Sequence, residues 1–165
     1  MMKNKIYSLE DLSQIILGHK AEGHKIVTTN GSFDILHYAH VHLLQKAKNE
    51  GDVLVVLLNS DDSIKRFKGS TRPICPEIER AGMIAAIGFV DYVTIFDEDK
   101  PLRYLEVIKP HVHVKGGSYI IHRISEEKDL VEKNKGEFKN FELEEGYSTT
   151  KIIEEILKRH NVNFR

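Results

Sequence analysis

Residues 28–48 read TTNGSFDILHYAHVHLLQKAK and contain the strongest signals for the fold of the chain. The stretch continues a run, KIVTT at 25–29, that is typical of a strand, and then passes through a turn that contains Gly31. A helix is predicted over 40–50, because Val41, Leu44 and Ala47 recur on one face before Gly51 ends the pattern. A strand, a glycine turn and a helix in this order indicate an α/β fold.

The alternation of strand and helix continues to the end of the chain. Further strands are predicted over 52–59, 91–96, 111–115 and, at the edge of the sheet, 138–143. Further helices are predicted over 8–22, 76–86, 101–108, 125–134 and 149–160. This order predicts a doubly wound, parallel α/β sheet of the Rossmann-like type, with helices on both faces. We expect a single domain over 1–165, with an N-terminal helix in 1–23 and a core in 24–160.

Composition limits the partners and the compartment that the chain suits. Its 165 residues are 41% hydrophobic and carry a net charge of −1, which favours one packed core and gives no bulk attraction for nucleic acid or acidic membranes. The single cysteine, Cys75, excludes an internal disulfide framework and suits a reducing compartment. No apolar run approaches the ~20 residues of a membrane span, and we recognise no signal peptide, so we expect a cytoplasmic protein.

Ligands of such sheets bind outside the carboxyl ends of the strands, where the strand order reverses. Three segments follow predicted strands and therefore belong at that edge: 30–40, 59–72 and 115–119. The two common phosphate-binding patterns, G-x-G-x-x-G and the P-loop, do not occur in the sequence. A phosphate site in this chain must therefore be built in another way.

Two histidines at the start of the predicted helix offer one such site. His37 and His40 are three residues apart, which places both imidazoles on one face, next to free backbone N–H groups and the positive end of the helix dipole. They form either a donor pair for phosphate oxygens or a pair of buried structural histidines. A zinc site that includes His42 is disfavoured, because that side chain lies on another side of the helix and no cysteine cluster is present.

A basic run, IKRFKGSTRP at 64–73, follows the second predicted strand. It contains four cations without an intervening acid, and these are Lys65, Arg66, Lys68 and Arg72. The run is either a positive field for a triphosphate or a solvated loop. Arg80, in the following helix, either joins that field or forms a surface ion pair with a neighbouring glutamate, Glu77 or Glu79.

Two later segments have the same double interpretation. Lys115 ends a predicted strand before Gly116 and Gly117, which form either a wall facing a ligand or a plain tight turn. Ser148 and Thr149 precede the last predicted helix, where hydroxyl groups either cap the helix or hold a phosphate together with its free amides.

Several blocks together resemble a known family. TNGSFDILHYAH, NSD, FKG with RPI, VDYVTIFDED, PHVHVKGGSY and EGYSTTKI are similar to the cytidylyltransferase-like nucleotidyltransferases, over about 25–157. Within that family the chain is most similar to the D-glycero-β-D-manno-heptose 1-phosphate adenylyltransferases of ADP-heptose synthesis. The resemblance implies that a sugar 1-phosphate attacks the α-phosphorus of ATP and that magnesium pyrophosphate leaves. It also implies a homodimer and a Mg²⁺ ion held mainly by phosphates and water.

The resemblance also implies a role for each matching residue. The catalytic residues are expected to be His37, His40 and Lys68. The nucleotide is expected to contact these histidines and Asn30, Gly31, Ser32, Phe33, Asp34, Arg80, Lys115, Gly116, Tyr147, Ser148 and Thr149. The acceptor is expected to contact Asp34, Lys68, Gly117, Ser118 and Tyr119, although Asp34 alternatively orients its own loop.

The chain departs from the family pattern in ways that leave the substrate open. Ala39 replaces the glycine usual between the histidines, Ser118 replaces the subgroup's aspartate, and 121–141 matches the heptose enzymes poorly. One alternative is a cytidylyltransferase acting on glycerol 3-phosphate or another small phosphate or phosphonate. Such proteins carry an arginine where this chain has Leu143, which favours ATP over CTP. The other alternative is a nucleotide-binding protein without catalytic activity.

Overall fold

The computed structural model describes residues 5–117, 121–142 and 146–160, without the side chains of 121–123. Its strands are β1 Ile26–Gly31, β2 Val53–Asn59, β3 Tyr92–Phe96, β4 Val112–Gly116 and β5 Glu137–Phe141. Its helices are α1 Leu9–Ala21, α2 Tyr38–Lys48, α3 Asp61–Lys68, α4 Glu77–Ala86, α5 Leu102–Ile108, α6 Ile121–Lys133 and α7 Thr149–Arg159. None of these helices combines the length and the apolar character that crossing a membrane requires.

The strands form one parallel sheet in the order β3-β2-β1-β4-β5. The predicted doubly wound fold is therefore confirmed, and β5 lies at an edge as expected. The chain moves outward from β1 through β2 to β3, and then crosses back to β4 on the other side of β1. The strand order thus reverses between β1 and β4, and the carboxyl ends of these two strands are the expected place for a ligand.

Two apolar cores cover the two faces of the sheet. On one face Val27, Leu54 and Val56 pack with Leu44 of α2 and Ile84 of α4. The other face is covered by α1 and α5, and its core contains Ile26, Val55, Leu57, Leu12, Ile16 and Leu105. Alternate residues of β1 and β2 enter opposite cores, so all seven residues of β2 are buried. Burial of each large side chain contributes about 1.5–3 kcal/mol, and it fixes the sheet that carries the site.

The structure differs from the sequence prediction most clearly at α3. The sequence predicts no helix between 59 and 76, where it shows the basic run 64–73, but residues 61–68 form a helix capped by Ser60, whose hydroxyl accepts the backbone N–H of Ser63 at 3.0 Å. Asp61 and Asp62 occupy the first turn and basic residues the last, as the helix dipole favours. β1 also extends two residues beyond the prediction, to Gly31, and α6 begins four residues earlier than predicted.

Candidate functional site

The two histidines meet where β1 ends and α2 begins. His37 is the N-cap residue of α2, and its ring stacks on that of His40 with a centroid distance of 3.7 Å and an interplanar angle of 22°. The Phe33 ring contacts His40 edge-on at 5.3 Å. His42 stacks on Tyr38, at 5.6 Å, rather than on the pair. The pair therefore lies at the edge of the sheet where the sequence predicted a ligand site.

Three of the four ring nitrogens of this pair lack a partner within the described part of the chain. Among the described residues, none hydrogen-bonds to Nδ1 or Nε2 of His37 or to Nδ1 of His40, although all three atoms are buried. Burial, followed by the neighbouring His37 and Lys68, lowers the pKa of His40 to about 3. Burial also lowers the pKa of His37. Both rings are thus neutral at neutral pH, and each has at least one ring nitrogen available to a ligand, as an N–H donor or as a lone pair.

Lys68, the last residue of α3, extends toward the same place. Its ammonium group donates to the hydroxyl of Ser32 at 3.0 Å and has no carboxylate partner among the described residues. Although the residue is exposed, its ammonium group is partly enclosed, and burial, followed by the charge of Arg72, lowers its pKa. Because Ser32 lies in the loop between β1 and the histidine pair, this bond places Lys68 in the site with the pair.

Asp34 holds the loop between the two elements. Its carboxylate, which is 1% exposed, accepts the backbone N–H groups of Ile74 and Cys75 at 3.0 Å and forms two bonds with Arg72 at 2.9 and 2.8 Å. Burial would raise the pKa of Asp34, but these N–H groups and Arg72 outweigh it and hold the pKa low. The structure therefore shows Asp34 orienting its loop, and its contact with the acceptor stays a prediction.

The loop around Asp34 needs such an anchor because its backbone is strained. Phe33 and Ile35 have φ angles of 47° and 48°, in the left-handed region that residues other than glycine seldom occupy. A Cβ atom on Gly31 would lie 3.1 Å from the Phe33 ring. The glycine therefore leaves space for this ring, and its predicted contact with the nucleotide is not tested by this observation.

Arg80 is buried beneath the site and is 2% exposed. Its guanidinium donates to the carbonyl oxygens of Cys75, Ser32 and Asn59 at 2.9, 2.6 and 2.9 Å, and to the Asp61 carboxylate at 2.7 Å. Four of its five N–H groups thus have protein acceptors. The carboxylate partner is Asp61 rather than a glutamate of its own helix, and a direct contact with phosphate stays a prediction.

The basic run does not form the convergent positive field that the sequence suggested. Lys65 pairs with Asp62 at 3.0 Å, Arg66 pairs with Asp99 at 2.7 Å, and Arg72 pairs with the buried carboxylate described above. For these three cations the structure does not support the positive-field alternative, because acids outside the run pair with them. Lys68 differs from them in bonding to a neutral hydroxyl group.

A second buried network lies between β1, β4 and α6. Lys115 donates to the side-chain oxygen of Asn30 at 2.7 Å and to both oxygens of Glu127 at 2.7 and 2.9 Å. Nε2 of His113 lies 3.4 Å from Glu127, and its Nδ1 lies 2.7 Å from the hydroxyl of Thr28. Burial would raise the pKa of Glu127, but His113 and Lys115 outweigh it and keep the carboxylate ionised. The roles of Lys115 and Asn30 toward the nucleotide stay predictions.

Sequence reasoning missed Glu127, which is 3% exposed. It comes from a polar helix in which neighbouring acids are exposed, so no local signal distinguishes it. Asp61 was also missed, but the run Ser60-Asp61-Asp62 after a buried strand is a recognisable helix start that the prediction overlooked.

The end of β4 precedes the segment that was predicted to contact the acceptor. Gly116 is the last residue of β4, and the N–H of Gly117, which has a φ of 122°, donates to the carbonyl of Phe141 at 3.1 Å. The backbone of this turn thus continues to hold β5. Ser118 and Tyr119, which were predicted to contact the acceptor, lie outside the described residues, as does Leu143.

The start of α7 docks beside the start of α2. Ser148 caps α7 by accepting the N–H of Lys151 at 3.1 Å, and the hydroxyl of Thr149 donates to the Asp34 carbonyl at 2.6 Å. The rings of Tyr147 and Tyr38 lie 5.3 Å apart. The structure therefore brings the last predicted phosphate segment to the histidines, but binding of phosphate by Ser148 and Thr149 stays a prediction.

Comparisons with known proteins agree with this arrangement. Residues 28–155 match the model of the cytidylyltransferase-like family. The bifunctional protein HldE of Geobacter metallireducens is 51% identical over 156 residues, which are 94% of this chain and 32% of that protein. HldE of Helicobacter pylori is 46% identical over 157 residues, with 95% and 32% coverage. The chain thus spans about a third of the length of the curated relatives it matches.

Solved structures give the same result for the fold. The lipopolysaccharide core biosynthesis protein of Thermoplasma volcanium superposes with a TM-score of 0.62 at 28% identity, covering 76% of this chain and all of that one. Pantoate-beta-alanine ligase of Francisella tularensis superposes with a TM-score of 0.61 over 83% of this chain and 66% of that one, and at 16% identity it supports the fold alone. The chain belongs to the cytidylyltransferase-like family of nucleotidyltransferases.

Proposed function

We propose that the chain transfers AMP from ATP to a sugar 1-phosphate, D-glycero-D-manno-heptose 1-phosphate, and releases ADP-heptose and pyrophosphate. The observation that carries this proposal is the stacked pair of His37 and His40, with three buried nitrogens that lack a partner in the described part of the chain. An acceptor in lipopolysaccharide synthesis is supported by the similarity to HldE and to a lipopolysaccharide core biosynthesis protein.

The reaction requires little covalent chemistry from the protein. An oxygen of the sugar phosphate forms a bond to the α-phosphorus, while the bond from that phosphorus to its bridging oxygen breaks and its electron pair leaves with pyrophosphate. The attacking oxygen already carries negative charge at neutral pH, so no general base is needed. The protein contributes by positioning the two anions and by stabilising the charge that develops.

The open donors of the site suit that task. In the proposal, N–H groups of His37 and His40 donate to oxygens of the triphosphate, and the ammonium group of Lys68 exchanges its bond with the Ser32 hydroxyl for a phosphate oxygen. A bound triphosphate would raise the pKa of both imidazoles, because negative charge favours the protonated ring. The pair would then become a stronger donor as negative charge moves onto the leaving pyrophosphate.

The family implies Mg²⁺, and the described residues allow a limited test of how it fits. Both carboxylate oxygens of Asp34, the acid nearest to the histidines in sequence, already accept hydrogen bonds from Arg72, Ile74 and Cys75. The donor set is thus cationic and imidazole-rich, which fits an ion that arrives bound to ATP and its waters. When bound, the ion would neutralise charge on the phosphates.

We further propose that the protein acts as a homodimer in the cytoplasm. The exposure of Ile78 and Met83 on α4, at 68% and 54%, supports a surface that a second copy covers. A single, partly exposed cysteine, Cys75, is in keeping with a reducing compartment. Light scattering coupled to gel filtration tests the dimer, for which we expect twice the mass of the 18.9 kDa chain.

A substrate panel tests the proposed reaction. Pyrophosphate release is measured with each of the four nucleoside triphosphates, paired with heptose 1-phosphate or with glycerol 3-phosphate. Of these pairs, we expect only ATP with heptose 1-phosphate to be turned over. Turnover with CTP and none with ATP would replace the proposal by the cytidylyltransferase alternative. Binding of ATP without turnover of any acceptor would favour the non-catalytic alternative.

A further inference from the structure

A second cluster of polar side chains lies at the other end of the sheet, where α1 leads into β1. The N–H of Gly23 donates to the Lys20 carbonyl and the N–H of His24 to the His19 carbonyl, both at 3.0 Å, and Gly23 has a φ of 82°. This pair of bonds is the Schellman motif, which brings together the side chains of the third-last helical residue, His19, and the second residue after the C-cap, His24. An apolar contact usually forms there, but in this chain the two residues are histidines.

The ligand atoms of this cluster have the spacing of a metal site. Nδ1 of His19 lies 3.0 Å from Nδ1 of His24, and Oε2 of Glu22 lies 3.4 Å from the same Nδ1 of His24. All three ligand atoms lie within 4.8 Å of one another. Two ligands at ~2.0–2.1 Å from a tetrahedral zinc ion are about 3.3 Å apart, so these separations require little movement.

The surroundings orient the ligands and favour a cation. Nε2 of His19 lies 2.8 Å from the hydroxyl of Tyr92, and a hydrogen on Nε2 would leave the lone pair of Nδ1 directed at the cluster. The carbonyl end of α1 supplies partial negative charge. The neighbouring Lys20 does not oppose it, because its ammonium group is bonded to the carbonyls of Ile108 and Lys109 at 2.7 Å.

We propose that His19, Glu22 and His24 bind one zinc ion, with a water molecule in the fourth position. The site is separate from the proposed nucleotidyl transfer, because His24 precedes β1 and Tyr92 begins β3, at the amino ends of these strands, whereas the histidine pair follows the carboxyl end of β1. The ion would fasten the end of α1 to the sheet. Glu22 and His24 have side-chain exposures of 68% and 41%, so zinc reaches them from solvent.

Calorimetric titration of the full chain with zinc chloride alone tests this site. We expect one equivalent to bind to the wild type, at least tenfold more weakly to His24→Ala and to Glu22→Gln, and 10–100-fold more weakly to Tyr92→Phe, which removes only the orienting hydroxyl. Glu22→Gln changes an exposed side chain and keeps the fold. His160→Ala, at the exposed C-cap of α7, and His40→Ala are the controls, and both should bind zinc as the wild type does.

Two further readouts separate this site from zinc bound elsewhere. Cobalt(II) in place of zinc should give the visible absorption of a tetrahedral ion in the wild type and not in His24→Ala. Zinc should raise the melting temperature of the wild type and not that of His24→Ala. The proposal is overturned if the wild type binds no zinc, if His24→Ala binds it with unchanged affinity, or if only His40→Ala loses it.

Discussion

Two sets of polar residues lie at the same end of the sheet and differ in whether their polar groups are already bonded to the protein. The brace set, Asp34, Arg72, Arg80 and Lys115, directs its charged groups at other protein groups. The open set consists of His37, His40 and Lys68. The two histidines have buried ring nitrogens without a partner in the described chain, and the ammonium group of Lys68 bonds only to a neutral hydroxyl among the described residues. Most of both sets was assigned to the nucleotide or the acceptor from sequence, and only the structure separates those that hold the site from those available to a ligand.

The two sets should also differ in their effect on stability. A buried polar group without a partner costs about 1–3 kcal/mol, so the open set weakens the fold of the free protein. Removing one member of a buried ion pair leaves its partner unpaired and costs about 3–5 kcal/mol, so the brace set stabilises it. Substitution in the open set should therefore reduce activity at little cost in stability, and substitution in the brace set should reduce stability first.

The largest expected effect is that of His40→Ala. We expect turnover to fall by about 10³-fold or more, because a donor to the transition state is lost, while the melting temperature stays the same or rises. Pyrophosphate release and thermal melting measure the two quantities, with His160→Ala as the matched control. An unchanged rate would remove His40 from the open set.

Arg80→Met should show the opposite pattern. It leaves the Asp61 carboxylate and three carbonyl oxygens without their donor, and we expect a loss of about 3–5 kcal/mol in the free energy of unfolding. Denaturant unfolding measures it. Arg103→Met, at an arginine side chain that is 62% exposed, is the control and should change stability by less than about 0.5 kcal/mol. If Arg80→Met were as stable as the wild type but no longer bound ATP, Arg80 would instead contact the nucleotide, as the resemblance implied.

The basic run offers a matched pair of lysines. Lys68→Ala should lower kcat/KM by about 10²-fold, because it removes a positive charge from the site. Lys65→Ala removes the same charge three residues earlier, where Asp62 already pairs with it, and should leave kcat/KM unchanged. Equal losses in the two variants would show that the run acts as a diffuse positive field after all.

The pKa of His40 gives the open set a pH dependence. Its pKa is about 3 in the folded protein and 6.5 in its ordinary state, so the unfolded chain binds more protons between these values. Stability should therefore fall as the pH drops from 6.5 toward 3, by at most about 1.4 kcal/mol per unit from this residue. Unfolding of the wild type and of His40→Asn from pH 7 to 4.5 measures the difference. Parallel curves for the two proteins would contradict the low pKa.

The smallest expected effect is that of Ala39→Gly, which restores the residue usual in the family. Ala39 is 1% exposed in the first turn of α2, so we expect stability to fall by up to about 1 kcal/mol. Turnover should stay within about threefold, because the side chain of Ala39 is buried and has no polar group to offer a ligand. A large change in ATP affinity would mean that this position shapes the open set.

The sequence was sufficient for the fold because its strongest signals are local. The uninterrupted apolar run of β2 and the alternation of elements require a parallel sheet, and the position of His37 and His40 follows from the strand that precedes them. The brace set was not predictable in the same way. Thr149 bonds to Asp34 across 115 residues of sequence, and no pattern near Glu127 shows that it pairs with Lys115.

A crystal structure with an unreactive ATP analogue and heptose 1-phosphate would show which of the two sets contacts the triphosphate. We expect phosphate oxygens within about 2.7–3.2 Å of nitrogens of His37 and His40 and of the ammonium group of Lys68. The bonds of Asp34 and Arg80 to the protein should remain as they are in the free chain. The proposed roles of the two sets would be contradicted if the triphosphate bound to Arg80 or Lys115 and made no contact with the histidine pair.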